Sequence, residues 1–260
     1  MLILLPPSEG KTAPADGAPC DLEKLVLPEL APARRKVLDA LVETSGREDA
    51  HEVLGVGTSL AAEVARNATL ATAPAAPGAH VYTGVLYAAA DLPGVVSGED
   101  DVARARLEDV LTMSALWGAV RPTDRIPAYR LSMSVDLPGI GPLARFWRPE
   151  LARLDARARG DVVVDCRSSS YAAAWKVPAG AHHVAVRVLR EKDGRRTVVS
   201  HHAKHTRGLL TGHLLRRAGA PPTTPDELAA AAAEMVGGAL HDVALHAGRA
   251  GSTLELVVTD

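Results

Sequence analysis

The chain has 260 residues, 47% of them hydrophobic but only 3% aromatic, with two cysteines and a formal net charge of −2. That composition argues against a disulfide framework, a cysteine-held metal site and a uniformly basic nucleic-acid binder. No apolar run approaches the roughly 18 residues of a membrane span, so no membrane partner is expected. The charge is uneven: residues 121–217 hold 19 of the 29 Lys and Arg but 8 of the 31 Asp and Glu. Either a basic cleft draws anions, or the acidic flanks fold over the middle and neutralise it.

The start, MLILLPPSEG, lacks a basic n-region and its apolar run is too short for a signal peptide, so a cytoplasmic location is expected. Residues 2–5 read as a buried strand ended by Pro6-Pro7. This strand delivers Ser8, Glu9, Lys11 and Thr12 to one loop, where open sheets tend to place ligands. Gly10-Lys11-Thr12 is not the end of a P-loop, because that motif needs a glycine five residues before Gly10 and Leu5 stands there. Residues 13–32 read as an irregular connection. Amphipathic helices are predicted over 33–43, with Val37, Leu38, Leu41 and Val42 on one face, and over 59–67, with Thr58 or Ser59 as N-cap. Residues 68–80 look like a loop. VYTGVL at 81–86 has the composition of a strand, with Gly84 a bulge or a close backbone approach. Tyr82 there either faces a ligand or is a core tyrosine with a satisfied hydroxyl. A helix over 99–111 is expected to bury Val102, Leu107, Val110 and Leu111.

Residues 113–133, MSALWGAVRPTDRIPAYRLSM, are apolar at first, as a buried strand or turn would be, until Arg121-Pro122 breaks regular pairing. Arg121, Arg125 and Arg130 then sit at a rim beside Asp124 and Tyr129. Planar guanidinium forks suit phosphate or carboxylate, although a loop whose arginines pair with Asp124 and helix ends reads equally well.

Residues 137–144, LPGIGPLA, have the form of a helix-hairpin-helix turn, in which Gly139 and Gly141 would let backbone N–H groups grip a phosphate. An ordinary Gly-Pro turn before a solvated helix fits the same residues. The helix after it, 143–159, would display Arg145, Arg148, Arg153 and Arg157. Residues 161–166 form a buried strand that leads to Arg167, Ser168 and Tyr171, and Cys166 reads as a small core residue. Residues 183–190 and 197–202 are two strands joined at Asp193-Gly194. The helix that follows carries Lys204, His205 and Arg207 near its start, where positive charge is unfavourable unless an anion is bound. His201, His202, His205 and His213 lack an HExxH pattern or a carboxylate at ligand spacing, so no metal is assigned. A last helix begins at Thr224-Pro225, and residues 252–259 read as a closing strand. One mixed α/β (α+β) sheet surrounded by helices in a single domain, residues 1–260, is the economical fold.

Several stretches together resemble the YaaA peroxide-stress protein family: MLILLPPSEGKT, VYTG at 81–84, LWGAVRPTDRIPAYRLSM, ARFW and HAKHTRGLL, in that order. The resemblance implies a cytoplasmic α/β domain with a helix-hairpin-helix element and a basic cleft for duplex DNA, without sequence specificity. It also implies a role in peroxide resistance through limiting damage driven by unincorporated iron. No cofactor is expected. Carried over by position, the cleft would be lined by Ser8, Lys11, Tyr82, Gly84, Arg121, Asp124, Tyr129, Arg130, Ser168, Tyr171, Lys204 and Arg207. Two positions depart from the family: DCRSSSY lacks an acidic residue before its tyrosine, and His205 stands where a second lysine is common. An enzyme acting on a nucleotide or other small anionic ligand would use the same arginines as clamps, with Asp124, Tyr129, Lys204 or His205 in acid-base roles.

Overall fold

Leu2–Leu5 forms β1 with all four side chains buried, and it lies inside an eight-stranded sheet rather than at its edge. The computed structural model describes residues 1–199 and 201–259, with His201 and His202 as backbone only. After β1 come β2 (Val110–Ser114), β3 (Gly118–Val120), β4 (Val162–Asp165), β5 (His182–Lys192), β6 (Arg195–Val198), β7 (Asp242–Gly248) and β8 (Gly251–Val258). Their order across the sheet is β7-β8-β5-β4-β1-β2-β3, with β6 paired to the far half of β5. The five inner strands are parallel, while β3, β6 and β7 run antiparallel to their neighbours. Parallel strands covered on both faces need continuous apolar runs, and LILL and VVVD supply them.

Chain order fixes where a site belongs. From β1 the chain crosses to β2 on one side, and from β4 it crosses to β5 on the other. The direction of winding therefore reverses beside β1, and such a reversal opens a crevice at the carboxyl ends of the flanking strands. Ser8 follows β1 and Ser168 follows β4 at that edge.

The helices used below are α1 (Ala31–Ser45), α2 (Val85–Ala90), α3 (Asp101–Arg106), α4 (Leu143–Leu151), α5 (Ser169–Ala174), α6 (His201–Arg216) and α7 (Pro225–Ala233). In α1 the helical period buries Val37, Leu38 and Leu41 and leaves Val42 half-buried. Thr224 caps α7 by accepting from the Glu227 N–H at 3.2 Å, as Thr-Pro at a helix start leads one to expect. Helix α6 lies so close on α2 that a Cβ at Gly208 would run into the Leu86 carbonyl.

A buried arginine ties the irregular 13–32 segment to the sheet. Arg34 of α1 is fully buried and donates to the carbonyls of Leu22, Val26, Leu27, Trp117 and Ala119. Five fixed donors are what a guanidinium offers, so one side chain satisfies carbonyls from two separate stretches. Burial lowers its pKa to about 10, which still leaves it charged at neutral pH.

Several expectations from the sequence are corrected. Residues 81–86 are not a strand: Val81 ends a one-turn helix, Tyr82 makes a single bridge to Lys11, and Val85 begins α2. The β-branched composition is overridden by packing under α6. The helix expected over 99–111 stops at Arg106 and gives way to a short 3-10 turn and then β2, so Val110 and Leu111 are buried as strand residues while Val102 is exposed. Neither Thr58 nor Ser59 caps the helix over Ala61–Arg66, and a helix at Ala50–Leu54 precedes it. The strand placed at 197–202 ends at Val198.

The helix-hairpin-helix element is not found. Asp136–Leu137 and Gly141–Pro142 pair as a small β-hairpin, and nothing helical lies between Ile126 and Asp136. Pro127 and the extended backbone around it leave no first helix. Gly139 and Gly141 have φ of 78° and 89°, so their glycine is required by the turn itself. The single helix after the hairpin, α4, ends at Leu151, and a separate short helix spans Leu154–Ala158.

Candidate functional site

The loop after β1 is held by backbone pairing with residues 81–83. Thr12 N–H donates to the Val81 carbonyl at 2.9 Å, Thr83 N–H donates to that of Gly10 at 3.3 Å, and Lys11 bridges Tyr82. This places the Lys11 ammonium over two aromatic faces, 4.5 Å from the Tyr129 ring centroid and 5.6 Å from that of Tyr82. Lys11 also donates to the Ser8 carbonyl at 2.6 Å and, less closely, to that of Glu9 at 3.4 Å. Burial brings the Lys11 pKa down to about 7, and Arg130 pushes the same way against Glu63 and Glu9.

Beneath the lysine runs a chain of buried hydroxyls. Tyr82 and Tyr129 share a hydrogen bond of 3.0 Å, Tyr129 and Ser114 one of 2.7 Å, and Ser114 accepts from Trp117 N–H at 3.0 Å. Tyr87, its ring tilted against that of Tyr82 with centroids 5.1 Å apart, bonds Thr112 and the Pro6 carbonyl. Burial drives the phenols of Tyr82, Tyr87 and Tyr129 well above their ordinary pKa, so they remain neutral donors.

Arg130 arrives from the other side. Its guanidinium donates to the Glu9 carbonyl at 3.0 Å and pairs with Glu63 at 3.4 Å. Tyr171 of α5 stands nearby, its pKa raised to about 12 by burial. Ser8 completes the group: it is 7% exposed, and among the described residues its hydroxyl has no hydrogen-bond partner. Gly84 lies against that hydroxyl, which a Cβ at 84 would strike. Gly84 therefore serves a close approach.

The structure thus brings together Ser8, Lys11, Tyr82, Gly84, Tyr129, Arg130 and Tyr171. Other expected residues are placed differently. Arg121 pairs with Glu108 at 3.0 Å, and because Glu108 precedes β2 this pair sits at the amino end of the strand, away from Ser8. Asp124 accepts from the N–H groups of Val26 and Arg121, a backbone-fixing role, and burial raises its pKa. Arg207 spends its guanidinium on the Val186 carbonyl. Ser168 contacts Ser170 at 3.2 Å at the start of α5. Lys204 and His205 are exposed on the first turns of α6. Gly139 and Gly141 lie at the hairpin tip, where an added Cβ meets nothing within 4 Å.

Sequence reasoning missed Asn67, Ser114 and Glu63. Glu63 and Asn67 are four residues apart in a helical stretch, spacing that puts both on one face. No sequence signal marks Ser114.

The charge asymmetry also resolves. Arg121 with Glu108, Arg157 with Asp109, Arg187 with Glu255, Arg196 with Asp242, Arg216 with Asp91 and Arg217 with Glu234 each join the basic middle to an acidic flank. Much of the excess is therefore neutralised by folding. Arg148 and Arg153 are occupied by the Ala173 carbonyl and Glu150. Cys166 is buried, which raises its thiol to about 12 and makes it a core group. Asp165 joins Arg167 and His183 in a buried cluster. The side chains of His201 and His202 lie outside the described residues. Among the described residues no group of three or more His, Cys, Asp or Glu is arranged to hold a metal, and no helix is long and apolar enough to cross a membrane.

A family model described as Peroxide stress protein YaaA matches residues 1–235. The chain belongs to this family. A UPF0246 protein of Streptomyces coelicolor is 48% identical over 235 residues, covering 88% of this chain and 87% of the relative. A UPF0246 protein of Corynebacterium efficiens is 39% identical over 263 residues, covering 99% of this chain and all of the relative. In this YaaA-family chain, the polar cluster draws on residues 8–11, 82–84 and 129–130, which fall in three of the stretches that carried the resemblance.

Proposed function

We propose that this YaaA-family protein serves the peroxide-stress response by binding phosphate groups at the carboxyl edge of its sheet. Ser8, Lys11, Arg130 and Tyr171 are the residues that would engage them. Duplex DNA is the macromolecular source of such phosphates, and its protection from iron-driven damage is the outcome we assign to binding. The observation that carries this reading is the convergence of Lys11 and Arg130 on one loop, with Lys11 bonded to backbone carbonyls rather than to a carboxylate. Its charge is left for a ligand to complete.

A second reading, an enzyme acting on a nucleotide or other small anion, is favoured by the enclosed and unpartnered Ser8 hydroxyl. Binding of a labelled duplex, followed by fluorescence anisotropy across a salt series, separates the two. On the DNA reading, affinity falls steeply with salt and drops in the Lys11→Met and Arg130→Ala variants. A folded protein that ignores duplex at low salt, yet is thermally stabilised by mononucleotides, would transfer the assignment to the enzyme reading.

A further inference from the structure

We propose that Ser8, Lys11 and Arg130 form a discrete subsite for a terminal phosphate group, the dianion of a phosphate monoester. This rests on the anion-binding reading of the cleft and narrows it, because an internal phosphodiester of a duplex is flanked by sugars on both sides. Ser8 is 7% exposed and its hydroxyl is wholly covered, so a ligand engages it only where the loop yields slightly, which a chain end or a small molecule can exploit and an internal phosphodiester cannot. That hydroxyl is buried without a partner, and a buried polar group in that condition asks for one.

The donors are free and fixed. Lys11 spends two of its three protons on the Ser8 and Glu9 carbonyls, and Arg130 uses only one of its terminal nitrogens, Nη1, on Glu9 and Glu63. The remaining donors of Arg130 form an open end of the planar fork that suits phosphate. The Arg130 backbone is pinned in both directions by buried Asn67, so the fork is held before ligand arrives.

The charges facing Lys11 set the proton balance. They are Arg130, Glu63 and Glu9, with the neutral phenols of Tyr82 and Tyr129 beneath. With Lys11 neutral, two carboxylates outweigh one guanidinium, and a dianion would be repelled. Occupation therefore draws one proton onto Lys11 from solvent. Affinity should fall by about tenfold per pH unit above neutrality, as one-proton linkage requires. The ligand's own ionisation runs the other way, since a phosphate monoester gains its second charge near pH ~6.

The test is calorimetric titration with inorganic phosphate, and with two duplexes that differ only in carrying a 5′-phosphate or a 5′-hydroxyl, at pH 7, 8 and 9. Runs in two buffers of different ionisation enthalpy count the protons. The expected result is preference for the 5′-phosphate duplex, uptake of about one proton near pH 8 and weakening of about 50-fold from pH 7 to 9. Lys11→Arg, charged throughout this range, should keep binding and lose both the uptake and the pH dependence. Ser8→Ala should weaken binding about tenfold while melting like the parent. Equal, pH-independent binding of the two duplexes would overturn the subsite and leave the cleft reading standing. Failure of both duplexes and of phosphate to bind would remove both. Phosphate binding without duplex binding supports the subsite, with a free phosphorylated small molecule as its ligand.

Discussion

Asn67 and Arg130 exchange two hydrogen bonds: the Asn67 amide donates to the Arg130 carbonyl at 2.9 Å, and its oxygen accepts from the Arg130 N–H at 2.8 Å. The same amide reaches the Ser45 hydroxyl of α1 at 3.1 Å. One buried side chain thus stands in for a strand neighbour and fixes the residue whose guanidinium crosses to the β1 loop. Asn67→Ala should cost about 1–3 kcal/mol, because two backbone groups lose their partner in a buried place. Urea denaturation measures the cost. Phosphate binding should weaken more than in a surface variant of equal stability, since Arg130 loses its anchor.

Arg34 is a purely structural cation. Arg34→Met keeps most of the side-chain volume but orphans the carbonyls of Leu22, Val26, Leu27, Trp117 and Ala119. A loss of about 3 kcal/mol or more is expected, with the connection between β1 and α1 becoming sensitive to protease. Arg34→Lys should recover little of this, because an ammonium has three donors and no planar fork.

These two residues show what was legible in the sequence and what was not. The strand at 2–5 could be read because an unbroken apolar run is cut by two prolines, and the start of α7 because Thr-Pro-Asp-Glu supplies a cap, a first residue and an acidic turn. Ser8 and Lys11 stand out as candidates from their place after β1 and its prolines, and Arg130 from the arginine-rich stretch at 121–130. Asn67 could not, since its partner lies 63 residues away. Nor could the destination of the arginines. Sequence shows a surplus of positive charge in the middle of the chain, but Arg148 and Arg207 end on carbonyls, which carry no compositional signal. Residues 81–86 were misread because β-propensity is a statement about packing, and here the packing is a helix held close by Gly208.

The cluster of Asp165, Arg167 and His183 makes a third prediction. Asp165 accepts from Arg167 Nε at 2.8 Å and Nη2 at 2.7 Å, and from His183 Nε2 at 3.0 Å. Burial by itself would raise this carboxyl, but the hydrogen bonds from Arg167 and His183 outweigh it and hold the pKa well below the usual range. A depressed carboxylate contributes stability that is complete above its unfolded pKa of about 3.9 and is lost as pH falls through the folded value. Asp165→Asn should cost about 3–5 kcal/mol at neutral pH, since it leaves a buried guanidinium uncompensated. It should also flatten part of the acid limb of the stability profile, read by denaturation between pH 5 and 2.

Lys11 sets the opposite limb. Its pKa falls from 10.5 in the open chain to about 7 in the fold. Between those values the unfolded chain binds a proton that the folded chain does not, so this residue makes stability rise with pH from about 7 upward. Other groups oppose it at higher pH. The thiols of Cys20 and Cys166, raised to about 12, and the buried phenols keep protons that the unfolded chain releases from about pH 9. The Lys11 contribution is therefore cleanest between pH 7 and 9. Denaturant midpoints measured across that window should climb relative to those of Lys11→Met, which has nothing to titrate there. Saturating phosphate should flatten the trend, because an anion holds Lys11 charged in the fold as it is in the unfolded chain, leaving no proton difference over this window. Parallel profiles for the two proteins would mean that Lys11 stays protonated in the fold, with its charge fully solvated rather than held in reserve for a ligand.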